Sequence, residues 1–583
     1  MSSQLDQLRH SAAHLLAAAV LKLYPQAKPT IGPTTKDGFY YDFDFGSTKI
    51  SEKDLPKIEA EMKKIVKTWE KFEAQEWPLE KARHFYKDNP YKLELIQEII
   101  DRGEKLTFYQ SGQFIDLCRG GHIDKPNQKL KHFKLLSIAG AYWRGDSHNP
   151  MLTRIYGTAF FTQKELNEYL QKLAQAKERD HKVLGQKLDL FTFSPLVGAG
   201  LPLWTPKGTL LRELLDDYLW SLRRAKGYQK VEIPHITKKE LYQTSGHWDK
   251  FKDELFRITT REGHEFAMKP MNCPHHTQIY ARKLHSYREL PQRYANTTMV
   301  YRDEQSGELH GLSRVRCITQ DDSHVFCRKS QVKQEIMSIW DIVDQFYGTF
   351  GFKLTPRLSL SDPEHPEKYL GDRQDWERAE KELRQLAKER GLKPKEEIGE
   401  AAFYGPKLDF IAEDSLGREW QVATIQLDMN MPHRFGLNCI NEQGEKEEIV
   451  MLHAAIMGSI ERFVSVLIEH LNGHFPLWLS PVQLLILPIN KTEFDYVHQL
   501  ANQLQAQNLR SELDLSDKSL AKKLALAQET RVPYIVIVGP QERQTKTLTL
   551  RHYSGHQKQL SLKQALQLLK QEVNDKSLTS LLK

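Results

Sequence analysis

The chain has no apolar run long enough to cross a bilayer. The longest near the N-terminus is LLAAAVL, residues 15–21, where a span needs about 20 residues. The richer stretch FPLWLSPVQLLILPI is broken by Pro476, Pro481 and Pro488, and no cleavable signal pattern is present. Membrane function is therefore not expected, and the expected compartment is the cytoplasm. Cysteine is scarce: Cys118, Cys273, Cys317, Cys327 and Cys439 are an odd, scattered set in 583 residues, which excludes a disulfide framework. Internal repeats and low-complexity tracts are missing, which excludes solenoids and disordered tails. A large charge of one sign is missing too, since the net charge is only +7. It is uneven, however: residues 478–583 hold 14 Lys and Arg against 9 Asp and Glu. A basic C-terminal region permits a polyanionic partner such as RNA without identifying one.

What remains is 40% hydrophobic and 27% charged, enough for three or four domains with packed cores. Residues 1–45 read as a helix, a Pro/Gly-rich turn and the alternating strand GFYYDFDF. Residues 51–75 and 79–103 read as charged amphipathic helices, and 106–161 as short strands and turns. A long polar helix follows. From LDLFTFSPLVGAGLPLWTPKG onward a new domain opens, with helices expected at 208–226, 330–348 and 376–390. RYANTTMVYRD and LSRVRCITQDDSHVF read as an antiparallel hairpin with a long tip. The C-terminal part alternates the apolar strands VQLLILPI and YIVIVG with helical patterns at 493–507, 518–530 and 561–572, the signature of a small α/β domain.

The stretch RHSAAHLLAAAVLKLY places His10 and His14 four residues apart, on one face of a helix. No Glu follows His10, so the H-E-x-x-H protease chemistry has no base. Two polar residues beside an apolar stripe (Leu8, Leu15, Val20) would explain the pair as well as a metal or an acid–base pair would. In DLCRGGHI, Cys118 and His122 are again four apart, and H-x3-H with C-x3-H could encircle a zinc ion. In the hairpin, Arg302 is placed on the first strand, Arg314 on the second and Glu304 at the entrance to the loop. With Arg462 in GSIERF, these guanidinia suit bidentate phosphate binding, although an Arg pair on a hairpin, taken alone, is more often solvated surface.

Taken together, these segments resemble threonyl-tRNA synthetases over nearly the whole chain. HSAAHLLAAAV, IGPTTKDGFYYDF and YQSGQFIDLCRGGH are similar to the family's editing domain. KGYQKVEIPHI (with Pro234), TMVYRDEQSGELHGLSRVR and GSIERF resemble motifs 1, 2 and 3 of class II aminoacyl-tRNA synthetases. SGHWDKFKDELF, MKPMNCPHH, TQDDSH and WQVATIQLDMNMP match the threonyl family in particular.

The resemblance implies a multidomain α+β and α/β chain. Residues 1–162 would form an α+β editing domain, 163–186 a connecting helix, 187–476 the class II catalytic domain on an antiparallel sheet, and 477–583 an α/β anticodon-binding domain. It implies ATP-dependent ligation of L-threonine to threonine tRNA through threonyl-adenylate, with hydrolysis of mischarged seryl-tRNA. The implied residues are Cys273, His324 and His453 for one Zn²⁺, and Arg302, Glu304, Arg314 and Arg462 for ATP with its Mg²⁺. Gln320, Asp322, Tyr404, Lys407, Gln421 and Gln426 would surround threonine. His10, His14, Cys118, His122, Lys92, Tyr41 and Asp116 would form a metal-free editing pocket, and Glu542 and Arg551 would contact the anticodon. Three zinc ligands leave a position open, which the family fills with threonine's amino and hydroxyl groups. Valine lacks the hydroxyl, whereas serine lacks only a methyl group, worth about 1–3 kcal/mol, so serine leaks through and must be edited.

A homodimer through the motif 1 region is also implied. Departures from the family pattern are Gly121, where Pro is usual and Gly loosens the loop that aims His122; Cys317, where Gly is common, read as a small buried residue; and LRHYSGHQK, where the family is more basic. Many members carry a small β-grasp domain ahead of this region. The sequence starts almost at His10, so a form without that module and with an altered tRNA grip is expected. A synthetase of another specificity, a stand-alone deacylase and a non-catalytic RNA-binding regulator are the competing readings. The Cys273, His324 and His453 set, the ATP-site arginines and the intact motifs argue against them in turn.

Overall fold

The computed structural model describes residues 3–146 and 148–582. The chain divides into two compact units, Met1–Ala174 and Gln175–Lys583.

In the first unit the helix Gln4–Leu23 begins at a reciprocal cap: the Asp6 amide donates to Ser3 Oγ at 3.1 Å and the Ser3 amide to the Asp6 carboxylate at 3.0 Å. Every residue from Ser11 to Val20 is buried, so the helix is enclosed rather than presenting one apolar stripe to the core. Its five alanines (Ala12, Ala13, Ala17, Ala18, Ala19) make that possible, because they let neighbouring backbones approach closely. The helix lies against a sheet ordered Lys28–Pro29, Gly38–Asp44, Met151–Phe160, His132–Tyr142.

A second sheet joins Glu73–Glu76, Thr107–Ser111 and Phe114–Leu117. Residues 51–75 are therefore not one helix: the α-helix is Leu55–Ile65, and 73–76 form a strand. Nor is 79–103 continuous. It splits into Leu79–Phe85 and Pro90–Asp101, because Pro90 lacks an N–H and Asn89 caps the second helix by accepting from the Lys92 amide at 3.2 Å. The segment 163–186 breaks in the same way, into Gln163–Glu178 and His181–Lys187, with Asp180 accepting from the Lys182 amide at 2.8 Å.

The second unit is built on an eight-stranded sheet. Its order is Gln229–Lys230, Gln292–Tyr301, Cys317–Cys327, Val450–Ser459, Glu419–Asp428, Lys407–Glu413, Lys353–Leu360, Lys395–Ile398. All its pairings are antiparallel except the outermost pair at each edge. Helices Pro206–Ala225, Val332–Thr349, Arg373–Glu389 and Ile460–His470 bury their apolar faces with Val325, Leu452, Ile425 and Phe410 in one core. Side chains alternate along each strand, so Asp322, His324 and His453 point to the face these helices leave open. Asp321, one residue away, points into the core, where Arg223 lies 2.9 Å from its carboxylate. The hairpin is antiparallel as expected, but its strands end at Tyr301 and resume at Cys317. Arg302 and Arg314 therefore both lie in the connecting loop and not on the strands, since that loop folds into turns of its own.

The C-terminal sheet, in the order Ser511–Leu513, Leu484–Pro488, Tyr534–Val538, Thr547–His552, Gln557–Ser561, starts with parallel pairs and ends with antiparallel ones. Helices Phe494–Gln505, Leu520–Glu529 and Leu562–Asn574 fall where the periodicity predicts them.

Candidate functional sites

Among the described residues, each unit encloses a large cavity. The cavity of the second unit, about 760 Å³, is lined by Cys273, His324 and His453 together with Arg302, Glu304, Arg314 and Arg462. Gln320, Asp322, Tyr404, Lys407, Gln421 and Gln426 line it as well. Two irregularities in the sheet help to assemble this lining. The pairing of Lys407–Glu413 with Glu419–Asp428 skips Val422, and this bulge turns Gln421 to the face that carries Thr424 and Gln426. A second register shift, beside Gln320, opposes that residue to Ser459 at the start of the Arg462 helix.

At the floor, one donor atom each from Cys273, His324 and His453 lie within 4.8 Å of one another, all buried. Each imidazole has one nitrogen already engaged. His453 Nε2 donates to Asp428 at 2.8 Å, and His324 Nδ1 stands 2.7 Å from His276 Nδ1. The remaining nitrogens are free to ligate, and partners of this kind set the tautomer of metal-bound histidines. Burial pushes the Cys273 thiol well up and the His324 imidazole well down, so a nearby cation is what would favour the thiolate. This donor set fits a zinc ion with an open position.

Above the floor, Asp322 accepts from the Asn272 side chain at 3.2 Å, and Tyr404 donates to Gln426 at 2.9 Å. Asp409, which sequence reasoning missed, is 2% exposed and organises the wall. Its carboxylate accepts from Gln421 at 2.7 Å, Thr424 at 2.7 Å and Ser359 at 2.6 Å, and it pairs with Lys407 at 3.2 Å. Asp428 and His276 were missed as well, although both lie within segments matched to the family, IQLDMNMP and NCPHH. At the mouth, Arg314 donates to Glu304 at 2.8 Å and to Glu308 at 3.0 Å. Arg302 Nε is buried without a partner, a donor left for a ligand. Protein crowding lowers the pKa of Arg462, which still opens onto the cavity. Cys317 is half-buried rather than buried, and burial raises its thiol to about 11.

The cavity of the first unit, about 540 Å³, is lined by His10, His14, Tyr41, Lys92, Asp116 and Cys118. His10, His14, Cys118 and His122 bring one donor atom each within 4.8 Å of one another. Cys118 Sγ lies 3.1 Å from His10 Nε2 and 3.3 Å from His122 Nε2. Burial lowers the pKa of all three imidazoles and raises the thiol to about 11, so neutral imidazoles surround a protonated thiol. Behind them Asp116 accepts from Tyr41 at 2.6 Å, from Tyr86 at 2.7 Å and from Lys92 at 2.5 Å. Tyr86 has no signal in the sequence that distinguishes it from an ordinary core tyrosine. His122 stacks on Phe72 with ring centres 4.0 Å apart. The loop before it turns through Gly120 at φ +98° and Gly121 at φ +85°. Proline, fixed near −65°, could not adopt that conformation.

Glu542 and Arg551 lie in neither cavity. Glu542 accepts from Thr549 Oγ1 at 2.8 Å and from the Gly539 amide at 2.9 Å. Thr549 and Arg551 alternate with the buried Leu548 and Leu550, so they share the outer face of their strand.

Comparison with known proteins identifies the domains that hold these cavities. Residues 256–471 match the tRNA synthetase class II core domain (G, H, P, S and T), residues 483–572 the anticodon binding domain, and residues 106–156 the threonyl and alanyl tRNA synthetase second additional domain. A threonine--tRNA ligase of Acetivibrio thermocellus is 46% identical over 548 residues, spanning 94% of this chain and 85% of that one. The Flavobacterium johnsoniae threonine--tRNA ligase is 47% identical over 550 residues, 93% of this chain and 84% of its own. A crystal structure of the RNA binding domain of threonyl-tRNA synthetase from Cryptosporidium parvum is similar with a TM-score of 0.65 at 34% identity. It covers 69% of this chain and 100% of that one.

Proposed function

The chain belongs to the threonine--tRNA ligases, and from that premise we propose which of its residues do which part of the work. The activity is the ATP-dependent charging of tRNA with threonine, accompanied by editing of mischarged tRNA. The observation that carries the assignment is the gathering of the motif arginines, the Cys273–His324–His453 cluster and the amide and carboxylate groups of the sheet around one cavity.

Cys273, His324 and His453 would hold zinc, whose open position would supply a Lewis acid that an amino acid bearing a hydroxyl can reach and valine cannot. Asp322 accepts from the substrate's amino group. Gln320, Lys407, Gln421 and Gln426, oriented by their places on the sheet, and Tyr404, held by its bond to Gln426, complete the amino-acid pocket. Arg302 binds the α-phosphate, and Arg314 and Arg462 the phosphate tail with its Mg²⁺. Charge stabilisation and alignment of the carboxylate with that phosphate supply the acceleration. Glu304 holds Arg314 until the nucleotide arrives.

In the first unit, neutral His10, His14 and His122 around Cys118 act on the ester of seryl-tRNA, and Asp116 fixes Lys92 and Tyr41 beneath it. Glu542 and Arg551 face the anticodon. Leu196, Val197, Leu203 and Ile236 are exposed apolar residues close in sequence to motif 1, and they suit a homodimer interface. No described helix is long and apolar enough to cross a membrane; cytoplasmic residence agrees with five unpaired cysteines. Threonine-dependent ATP–pyrophosphate exchange and zinc content, compared in wild type and Cys273→Ala, test the central assignment. Joint loss of both by more than about 100-fold is expected; exchange that survives without zinc would overturn it.

A further inference from the structure

His181 lies outside every motif described above, yet it touches the machinery on two sides. It is 1% exposed and opens the helix His181–Lys187. Its Nδ1 lies 2.6 Å from Glu469 Oε1, and its backbone amide donates to the same oxygen at 3.0 Å. Its Nε2 accepts from the amide of Leu312 at 3.1 Å. Both contacts are satisfied by one neutral tautomer, with the proton on Nδ1.

The two partners matter because of what they carry. Leu312 is the buried centre of a five-residue turn, closed by His310 N to Arg314 O at 3.1 Å and Arg314 N to His310 O at 3.3 Å. That turn presents Arg314 to the cavity. Gly311, at φ +50°, sits so close that a Cβ there would lie 2.3 Å from His181 Nε2, so the turn rests directly on the imidazole. Glu469 stands near the C-terminal end of the helix Ile460–His470, whose first turn carries Arg462. Glu469 is held in turn: Arg418 donates to its other oxygen at 2.5 Å. Burial opposes its charge, but the bonds from His181 and the Arg418 charge hold its carboxyl down at about 2.

We infer that His181 is a positioning residue for ATP, setting the Arg314 turn against the helix that bears Arg462 so that both guanidinia meet one triphosphate. The inference rests on the proposal that those arginines bind ATP. Without the imidazole, the Leu312 amide and the Glu469 carboxylate both lose a buried partner, and the turn is free to shift. Threonine binding, organised by Asp409 and the sheet, has no bond to His181.

The test uses ATP–pyrophosphate exchange on the full chain with His181→Ala, His181→Gln and Arg314→Ala, each with its melting temperature and its rate of seryl-tRNA hydrolysis as controls for folding. His181→Ala is expected to raise the KM for ATP about tenfold, with the KM for threonine nearly unchanged. His181→Gln, whose amide oxygen can accept from Leu312, is expected to recover most of that loss. An unchanged KM for ATP in His181→Ala, a fall in all parameters in step with the folded fraction, or a Gln variant no better than Ala would each overturn the inference. If Arg314→Ala also leaves the KM for ATP unchanged, the nucleotide-site assignment itself has failed; if it raises that KM while His181→Ala does not, only the positioning role has.

Discussion

The two cavities are made of the same side chains and arrange them to different ends. In each, cysteine and histidine donors lie within 4.8 Å of one another. In the second unit the histidines have outside partners, Asp428 for His453 and His276 for His324, so each ring has one nitrogen engaged and one free. In the first unit His10 and His122 both stand against Cys118, and the contacts outside the set carry no charge, Ser11 Oγ lying 3.4 Å from His122 Nδ1. The carboxylate behind them, Asp116, is engaged by Tyr41, Tyr86 and Lys92 and stays 3.9 Å from His14. The two clusters differ in that an aspartate bonds a ring nitrogen directly in the second, whereas in the first it stands back, and a partner of that kind is what orients a metal-binding histidine.

The sharpest way to probe that contrast is to remove the carboxylate of the first cavity. Asp116→Ala leaves Lys92, 2% exposed, as an uncompensated buried charge. It should destabilise the first unit by about 3–5 kcal/mol and abolish editing. Denaturant unfolding measures the first effect, and ATP–pyrophosphate exchange should persist in the same protein. Equal loss of both activities would mean that the cavities are not independent in this way. In the second cavity, Asp428→Asn removes a partner and not a ligand, so zinc affinity should fall about 10–100-fold, read by competition with a chelator. A null result would deny that outside partners define the site.

Gly121→Ala places a side chain at φ +85°, at a cost of about 1–2 kcal/mol. Slower seryl-tRNA hydrolysis with unaltered threonine activation is the expected result. The smallest expected effect is one of pH. Burial sets the pKa of His10, His14 and His122 below the ordinary 6.5, so hydrolysis should show no inflection as pH falls through that value. The unfolded chain takes up protons there that the folded one refuses. Stability contributed by these groups is thus present above 6.5 and lost as pH falls toward the folded values, visible as a falling melting temperature. A limb in the rate near 6.5 would show that at least one imidazole is not enclosed.

Much of this was legible before any coordinates. The hairpin and the C-terminal alternation of strand and helix follow from periodicity, whereas the two sets of cavity residues came from the family resemblance, their bare spacing being weak. The errors share a cause. The helices placed at 51–75, 79–103 and 163–186 came from amphipathic pattern alone, and local chemistry at Asn89–Pro90 and Asp180 outweighed it. Arg302 and Arg314 were put on strands because the apolar pattern runs up to them, whereas the loop's own turns take over after Tyr301.

By itself, the sequence determined the residue types, which positions could bind phosphate, hold a metal or act as a base, and the pairing of one hairpin. Only the tertiary structure decided which groups stand behind them. Asp409, Asp428, Tyr86 and His181 are ordinary polar residues along the chain. They become organisers because folding brings Asp409, Asp428 and Tyr86 within about 3 Å of a cavity residue and His181 within about 3 Å of the elements that carry two more, where a low dielectric strengthens each bond and makes an unpaired group costly. Such contacts join residues far apart in sequence, His181 and Glu469 among them, and no local pattern records them.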